Sequence, residues 1–168
     1  MIQKTVLGVA MLCALATSAL AQKTSVQSIE EYRAMLQDGN PADLFEAKGD
    51  SLWKESRGPK KATLEKCDLG KGPGVVKGVF LELPRYFADT NQVQDLESRL
   101  LTCMETLQGF NAAEIAKTAF GKGEQNNMTA LATWIAAESK GGKFNLPQAH
   151  AKERVSYEVG KRLFFQRG

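Results

Sequence analysis

Hydrophobic positions along the chain recur at helical intervals, and the longest such pattern lies between residues 91 and 107. Its apolar members follow one another at spacings of three and four residues, which places them on one face of a helix. The stripe consists of Val93, Leu96, Leu100, Cys103 and Leu107. We therefore predict a helix that turns Cys103 inward.

Capping residues mark the other predicted helices. Ser28 to Glu31 form a capping box for a short helix, and Asn40-Pro41 places a cap before a proline at the first helical position. Asn111 and Asn127 are candidate caps of two further helices. The predicted helices run from about Ser28 to Gly39, Asn40 to Ser56, Asn91 to Leu107, Asn111 to Ala119, Asn127 to Gly141 and Lys152 to Phe165.

The stretch from Gly58 to Gly78 is rich in glycine and contains two prolines, which predicts a loop. Val79 to Leu83 is predicted to be a short extended piece that Pro84 ends. The sequence shows no sustained strand alternation and no coiled-coil heptad. The fold class is therefore predicted to be mainly α, with long loops.

Residues 1–21 have the pattern of a secretory signal peptide. Lys4 precedes an uncharged stretch too short to span a bilayer, and Ala19-Leu20-Ala21 offers a cleavage pattern. We expect cleavage between Ala21 and Gln22, export to the periplasm and no membrane span. Cys13 leaves a lipoprotein as an alternative, disfavoured because bulky Leu12 precedes it.

Cleavage would remove Cys13 and leave Cys67 and Cys103, which allow one intramolecular pairing. Thiols pair in an oxidising compartment, and this bridge would stabilise the fold by about 4 kcal/mol in the chain-entropy model. Two separately buried thiols are the alternative. A catalytic thiol or a zinc site is disfavoured, because His150 is the sole histidine.

The chain has 22 basic side chains, of which Lys4 lies in the leader, and 19 acidic ones, so the mature net charge is +2. This balance disfavours nucleic-acid and membrane binding. One local basic cluster is either a solvated face or a docking surface for an acidic partner or anion. It comprises Lys54, Arg57, Lys60, Lys61, Lys66, Lys71 and Lys77.

The pattern Gly-x-x-Leu-aromatic occurs twice, at residues 49–53 and 160–164. A glycine on a helix lets another helix approach closely, and the first helix of a class I cytochrome c has this form. We expect Trp53 and Trp134 to be contacts between the first and last helices of the domain. The second copy lies on an apolar final helix, which suggests the opening of a further domain.

The haem-attachment motif C-x-x-C-H is absent from the sequence. Where it would follow the first Gly-x-x-Leu-aromatic copy, Leu64 replaces the first cysteine and Asp68 the histidine, and Cys67 remains. We therefore expect no catalytic, cofactor or metal ligand in this chain, and His150 to be a solvated linker residue.

Several runs resemble SoxA, the monohaem or dihaem c-type cytochrome subunit of the periplasmic sulfur-oxidation (Sox) system. They are Arg57 to Asp68, Leu69 to Val75, Leu83 to Phe87, Asp95 to Leu100, Cys103 to Phe110 and Asn145 to Gln148. The resemblance implies two cytochrome c-like domains, with a disulfide in place of haem in the first domain of some members. The domains would then be a signal peptide (1–21), a haem-free cytochrome c-like domain (22–146), and a linker with the opening helix of a truncated second domain (147–168).

The resemblance also implies an L-cysteine S-thiosulfotransferase that couples thiosulfate oxidatively to the carrier SoxYZ, with SoxX as partner and haem c as electron acceptor. The catalytic haem and its cysteine ligand belong to the second domain of the family, so this chain by itself is expected to be inactive. Arg85 and Tyr86 are candidate partner-facing residues. The alternatives are a stand-alone docking module and a thiosulfate dehydrogenase-like cytochrome.

Overall fold

The computed structural model describes residues 25–37 and 39–166. The predicted signal peptide and the bond between Ala21 and Gln22 lie outside these residues. The chain divides into two units between Gly39 and Asn40. The first unit contains helix α1 (Ser25–Gln37), in which Ser28 lies inside the helix. The predicted capping role of Ser28 is therefore wrong, because the helix begins one turn earlier.

Two helices of the second unit pack against each other along most of their length. Helix α2 (Pro41–Lys54) begins as predicted, since the Asn40 side chain accepts a hydrogen bond from the Ala42 N–H. Helix α5 (Gly123–Ala137) begins four residues before the predicted cap Asn127, and the residue at its N-cap is Lys122. The prediction for Asn127 is wrong.

Gly49 marks the closest approach of α2 to α5. A Cβ atom at this position would overlap the backbone oxygen of Ala130 and the Cβ of Trp134. One turn further along, the Trp53 and Trp134 rings lie 5.8 Å apart between centroids, which confirms the predicted contact. Glycine is required because any side chain would push the two backbones apart.

The segment predicted as one long helix, residues 91–107, instead contains a strand, a shorter helix and a π-helical turn, and its strand pairs with one that precedes the segment. Strand β1 (Arg85–Phe87) pairs antiparallel with strand β2 (Gln92–Gln94), with Tyr86 opposite Val93. Asp95 then caps helix α3 (Leu96–Cys103), and a π-helical turn (Met104–Gln108) follows. The helical prediction for residues 91–95 is wrong, because the Asp95 carboxylate accepts from the Ser98 N–H and starts the helix there.

Asn111 caps helix α4 (Ala112–Lys117) as predicted, through hydrogen bonds from the Ala113 and Glu114 N–H groups. The predicted extended piece is instead a 3₁₀ turn (Val79–Glu82), followed by a cis Leu83–Pro84 bond. The Gly-rich segment before it forms no helix, as predicted.

Helix α6 (Ala151–Phe165) ends the described chain, with His150 as its N-cap. Within the described residues no helix is long and apolar enough to cross a membrane. The core of the second unit is formed by side chains from α2, the Gly-rich loop, α3 and α5. Its largest fully buried apolar side chains are Leu64, Cys67, Leu69, Val79, Leu96, Leu100, Met104, Leu131 and Ile135. This core surrounds the two cysteines.

Candidate functional site

A disulfide between Cys67 and Cys103 joins the Gly-rich loop to the end of α3, with 5.6 Å between the two Cα atoms. The predicted pairing is present in the structure. Both cysteines are buried, at 1% and 4% exposure. The bridge is therefore part of the core and lies out of reach of bulky reductants in solution.

The loop that carries Cys67 is fixed by backbone hydrogen bonds on both sides of the cysteine. The Leu64 N–H donates to the Trp53 carbonyl at 3.0 Å, which ties the start of the loop to the end of α2. The Gly74 N–H donates to the Cys67 carbonyl at 2.9 Å. Gly74 has a φ of 76°, and a Cβ here would overlap the Glu65 carbonyl oxygen, so a side chain would open this turn.

Asp68 has a structural part in the same loop. Its Oδ1 accepts hydrogen bonds from the Gly70 N–H at 2.7 Å and the Gly72 N–H at 3.0 Å. This is an Asx-type turn, in which a short carboxylate closes the backbone that follows it. The carboxylate that replaces histidine in the haem motif is thus engaged with its own loop.

Arg99 links this loop to the β1–β2 hairpin from a buried position, at 5% exposure. Its Nε donates to the Asp68 carbonyl at 2.7 Å, and its Nη1 donates to the Asp89 carboxylate at 2.7 Å. The guanidinium carbon also lies 4.0 Å from the centre of the Phe87 ring, a cation–π contact. A buried arginine is tolerated here because its donors and its flat face both have partners.

Arg99 was not among the predicted site residues. A signal was available, because Arg99 follows Leu96 by three residues and precedes Cys103 by four, on the predicted inward face of the helix. A charged residue in that register indicates a buried ion pair.

These residues do not fit covalently attached haem c. Leu64 has no sulfur, Cys67 is consumed by the disulfide, and the Asp68 carboxylate is held by two backbone N–H groups. Among the described residues no group of three or more His, Cys, Asp or Glu side chains could hold a metal ion. The site is a disulfide-linked core built around Cys67 and Cys103.

Three of the seven residues in the predicted basic cluster form ion pairs within the fold. Its paired members are Lys54 with Asp50, Arg57 with Glu124 and Lys71 with Glu82. Lys60 donates to the Thr106 carbonyl at 2.7 Å.

Arg85, Tyr86 and His150 have partners within the fold. Arg85 donates to the Gly70 carbonyl at 2.6 Å and supports the disulfide loop. The Tyr86 ring stacks on the His150 ring, with centroids 3.6 Å apart. His150, predicted to be a solvated linker residue, is instead a half-buried helix cap, because its Nδ1 accepts from the Lys152 N–H.

The helix crossing at Gly49, the long loop and the buried core define a cytochrome c-like helical domain. Residues 48–144 match the family described as SoxA/TsdA, cytochrome c domain. The chain therefore belongs to this family.

Among curated proteins, the chain is 47% identical to the L-cysteine S-thiosulfotransferase subunit SoxA of Hydrogenophilus thermoluteolus, over 98% of this chain and 63% of that protein. It is 28% identical to a subunit of the same name from Hydrogenobacter thermophilus, over 76% of this chain and 46% of that protein. The chain thus spans less than two thirds of the length of these relatives.

Proposed function

We propose that this chain is the N-terminal portion of a SoxA-type subunit, in which it supplies a structural domain without haem. The complete subunit would act with SoxX as an L-cysteine S-thiosulfotransferase in sulfur oxidation. In that reaction a cysteine thiol of the carrier SoxYZ and thiosulfate form a sulfur–sulfur bond, with release of one proton and two electrons. Haem c elsewhere in the complex would accept the electrons.

The observation that carries the proposal is the Cys67–Cys103 bridge at the position of the attachment motif, in a chain 47% identical to a SoxA subunit. A cross-link and a buried hydrophobic core replace the cofactor as the centre of this domain. The family description also covers TsdA. The names of both relatives favour the SoxA activity over the thiosulfate dehydrogenase alternative.

The activity is tested with the product of the complete gene, co-expressed with SoxX and supplied with thiosulfate, SoxYZ and an electron acceptor. Mass spectrometry should show thiosulfate joined to the carrier cysteine. Conversion of thiosulfate to tetrathionate with an unmodified carrier would instead support the dehydrogenase alternative. No reaction with either substrate would refute both.

The haem-free assignment is tested on this chain by itself, expressed with a c-type cytochrome maturation system. We expect no covalent haem band after denaturation, since Leu64 has no sulfur to form a thioether with the porphyrin and Cys67 is held in the disulfide. A matched control, in which the same host matures an authentic c-type cytochrome, shows that haem was available. A haem band that survives denaturation of this chain would overturn the assignment.

We further propose that α6 opens a second cytochrome c-like domain, with residues 147–150 leading into it. The support is the repeated Gly-x-x-Leu-aromatic pattern at residues 160–164 on a helix whose apolar side chains are exposed. In the first domain the same pattern receives another helix at Gly49. Sequencing beyond the codon for Gly168 tests this, since an in-frame C-x-x-C-H supports it and an immediate stop codon contradicts it.

Export to the periplasm remains part of the proposal, supported by the pattern of residues 1–21. N-terminal sequencing of the protein purified from its host should begin at Gln22. An intact Met1 in the purified protein would contradict export by this route.

A further inference from the structure

The first turn of α6 is attached to the β1–β2 hairpin through a buried carboxylate. Glu153 is 7% exposed, and its Oε1 accepts a hydrogen bond from the Tyr86 N–H of β1 at 2.8 Å. Its Oε2 accepts from the His150 N–H at 2.9 Å, which is the second half of a capping box. One side chain therefore joins the strand, the cap and the helix.

Two further contacts fix the same turn from other directions. The Lys152 ammonium donates to the carbonyl and to Oδ1 of Asn91, at 2.6 and 2.8 Å, and so reaches the loop between β1 and β2. The Tyr86 ring lies almost parallel to the His150 ring, with 9° between the planes. These contacts reach the start of α6 from β1 and from the loop between β1 and β2, so they restrict its rotation as well as its position.

The remainder of α6 contrasts with this first turn. Beyond Tyr157 its large apolar side chains are exposed, with Leu163 at 63%, Phe164 at 77% and Phe165 at 74%. The direction of α6 is therefore set where its first turn meets the hairpin. We name the five residues of this contact the α6 clamp: Tyr86, Asn91, His150, Lys152 and Glu153.

We propose that the α6 clamp holds α6 at a fixed angle to the first domain, so that the segment between the two domains is a rigid joint. This inference rests on the proposed function in one respect, namely that α6 opens the second domain. The clamp would then set the orientation of that domain, and with it the position of the catalytic haem relative to the first domain.

The physical basis is the number of independent constraints on a short segment. Hydrogen bonds to a charged, buried carboxylate are about twice as strong as neutral ones, and a lost partner leaves a buried group unsatisfied. Two N–H groups from different elements share this one carboxylate. Rotation of α6 about its first turn would break at least one of these bonds.

The test measures the distance distribution between two spin labels in the full chain, on a Cys13→Ser background without reductant. Labels are attached through Glu97→Cys on α3 and Lys161→Cys on α6, both at exposed positions. We expect one narrow distribution in the parent protein. A broad distribution in the parent would overturn the rigid joint.

Glu153→Ala should broaden the distribution by about twofold or more, because hinge motion becomes accessible. The matched control is Glu158→Ala, an exposed carboxylate on the same helix, which should leave the distribution narrow. If Glu153→Ala prevents folding, Lys152→Ala and Tyr86→Ala provide the same test from the other two sides. If the distance distribution stays narrow in these folded variants, the proposal that the α6 clamp holds α6 at a fixed angle is refuted.

The distance measurement requires no haem, carrier or thiosulfate. A flexible α6 would therefore refute the clamp and leave the proposed activity standing. Conversely, a stop codon after Gly168 would refute the second domain while a narrow distribution still supported the clamp.

Discussion

Helices α2 and α6 carry the same Gly-x-x-Leu-aromatic pattern in opposite surroundings. In α2 the glycine touches the backbone of α5, and Leu52 and Trp53 are buried at 7% and 4% exposure. In α6 a Cβ at Gly160 would meet no atom within 4 Å, and Leu163 and Phe164 are exposed. The pattern thus specifies a face suited to another helix, and tertiary packing decides whether that face is covered.

The largest expected difference between the two copies concerns their aromatic residues. Trp53→Ala should destabilise the protein by about 3–5 kcal/mol, because it leaves a cavity in the core. Phe164→Ala should change stability by less than about 0.5 kcal/mol, as an exposed residue does. Urea unfolding followed by far-UV circular dichroism measures both, and similar losses would show that α6 is covered in solution.

Loss of the disulfide is the next largest expected effect. Cys67→Ala with Cys103→Ala should reduce stability by about 2–4 kcal/mol, since the cross-link restricts the unfolded chain. The loss should appear in α2, whose Trp53 carbonyl accepts from the loop at Leu64. Hydrogen exchange resolved by helix tests this. If the amides of α6 lost as much protection from exchange as those of α2, α6 would depend on the disulfide as strongly as α2, which would contradict the contrast between the two helices.

Replacing the two glycines by alanine should change the stability of the protein in opposite directions. Gly49→Ala should destabilise by about 1–3 kcal/mol, because the new Cβ overlaps the Ala130 backbone, which cannot move freely. Gly160→Ala should stabilise by about 0.5–1 kcal/mol through helix propensity. Thermal unfolding of both variants provides the comparison. Destabilisation by Gly160→Ala would indicate a helix packed at that position.

The smallest expected effect is the response of the α6 clamp to acid. Burial raises the pKa of Glu153. Hydrogen bonds from the Tyr86 and His150 N–H groups, together with the nearby charges of Arg85 and His150, outweigh burial and hold this pKa below its ordinary value. Lys152 is a further charged group in the same turn of α6, and its ammonium is bound to Asn91. A lowered folded-state pKa means that the stabilisation is complete above the unfolded-state value and is lost as pH falls through the folded-state value.

The spin-label distance distribution should therefore be narrow at neutral pH and broaden as the pH falls through the lowered folded-state pKa of Glu153. Glu153→Gln serves as the control, because an amide does not titrate and its width should not change as the pH falls. Broadening of both proteins at the same pH would assign the effect to some other carboxyl group.

Local signals predicted part of the fold well. Asn40 and Asn111 cap helices as expected, because each has a backbone N–H within reach two residues later. The signals at Ser28 and Asn127 were misleading. Both residues lie inside longer helices, where a single capping preference does not set the helix start.

The hairpin was missed because its strands have three residues each, too short to show an alternating pattern. The disulfide was predictable from the cysteine count, and its burial followed from the helical stripe. Arg99 and the α6 clamp were not predicted, since their partners are brought together from distant parts of the chain. Glu153 and Tyr86, for example, are 67 residues apart.

The sequence by itself determined the helical class, the pairing of Cys67 with Cys103 and the lack of a haem-attachment motif. These follow from the periodicity of apolar residues and from which reactive groups are present. The tertiary structure decided which of two identical helix patterns is buried and how α6 is held. Burial and hydrogen bonding depend on which surfaces meet in space, and that is a property of the whole chain.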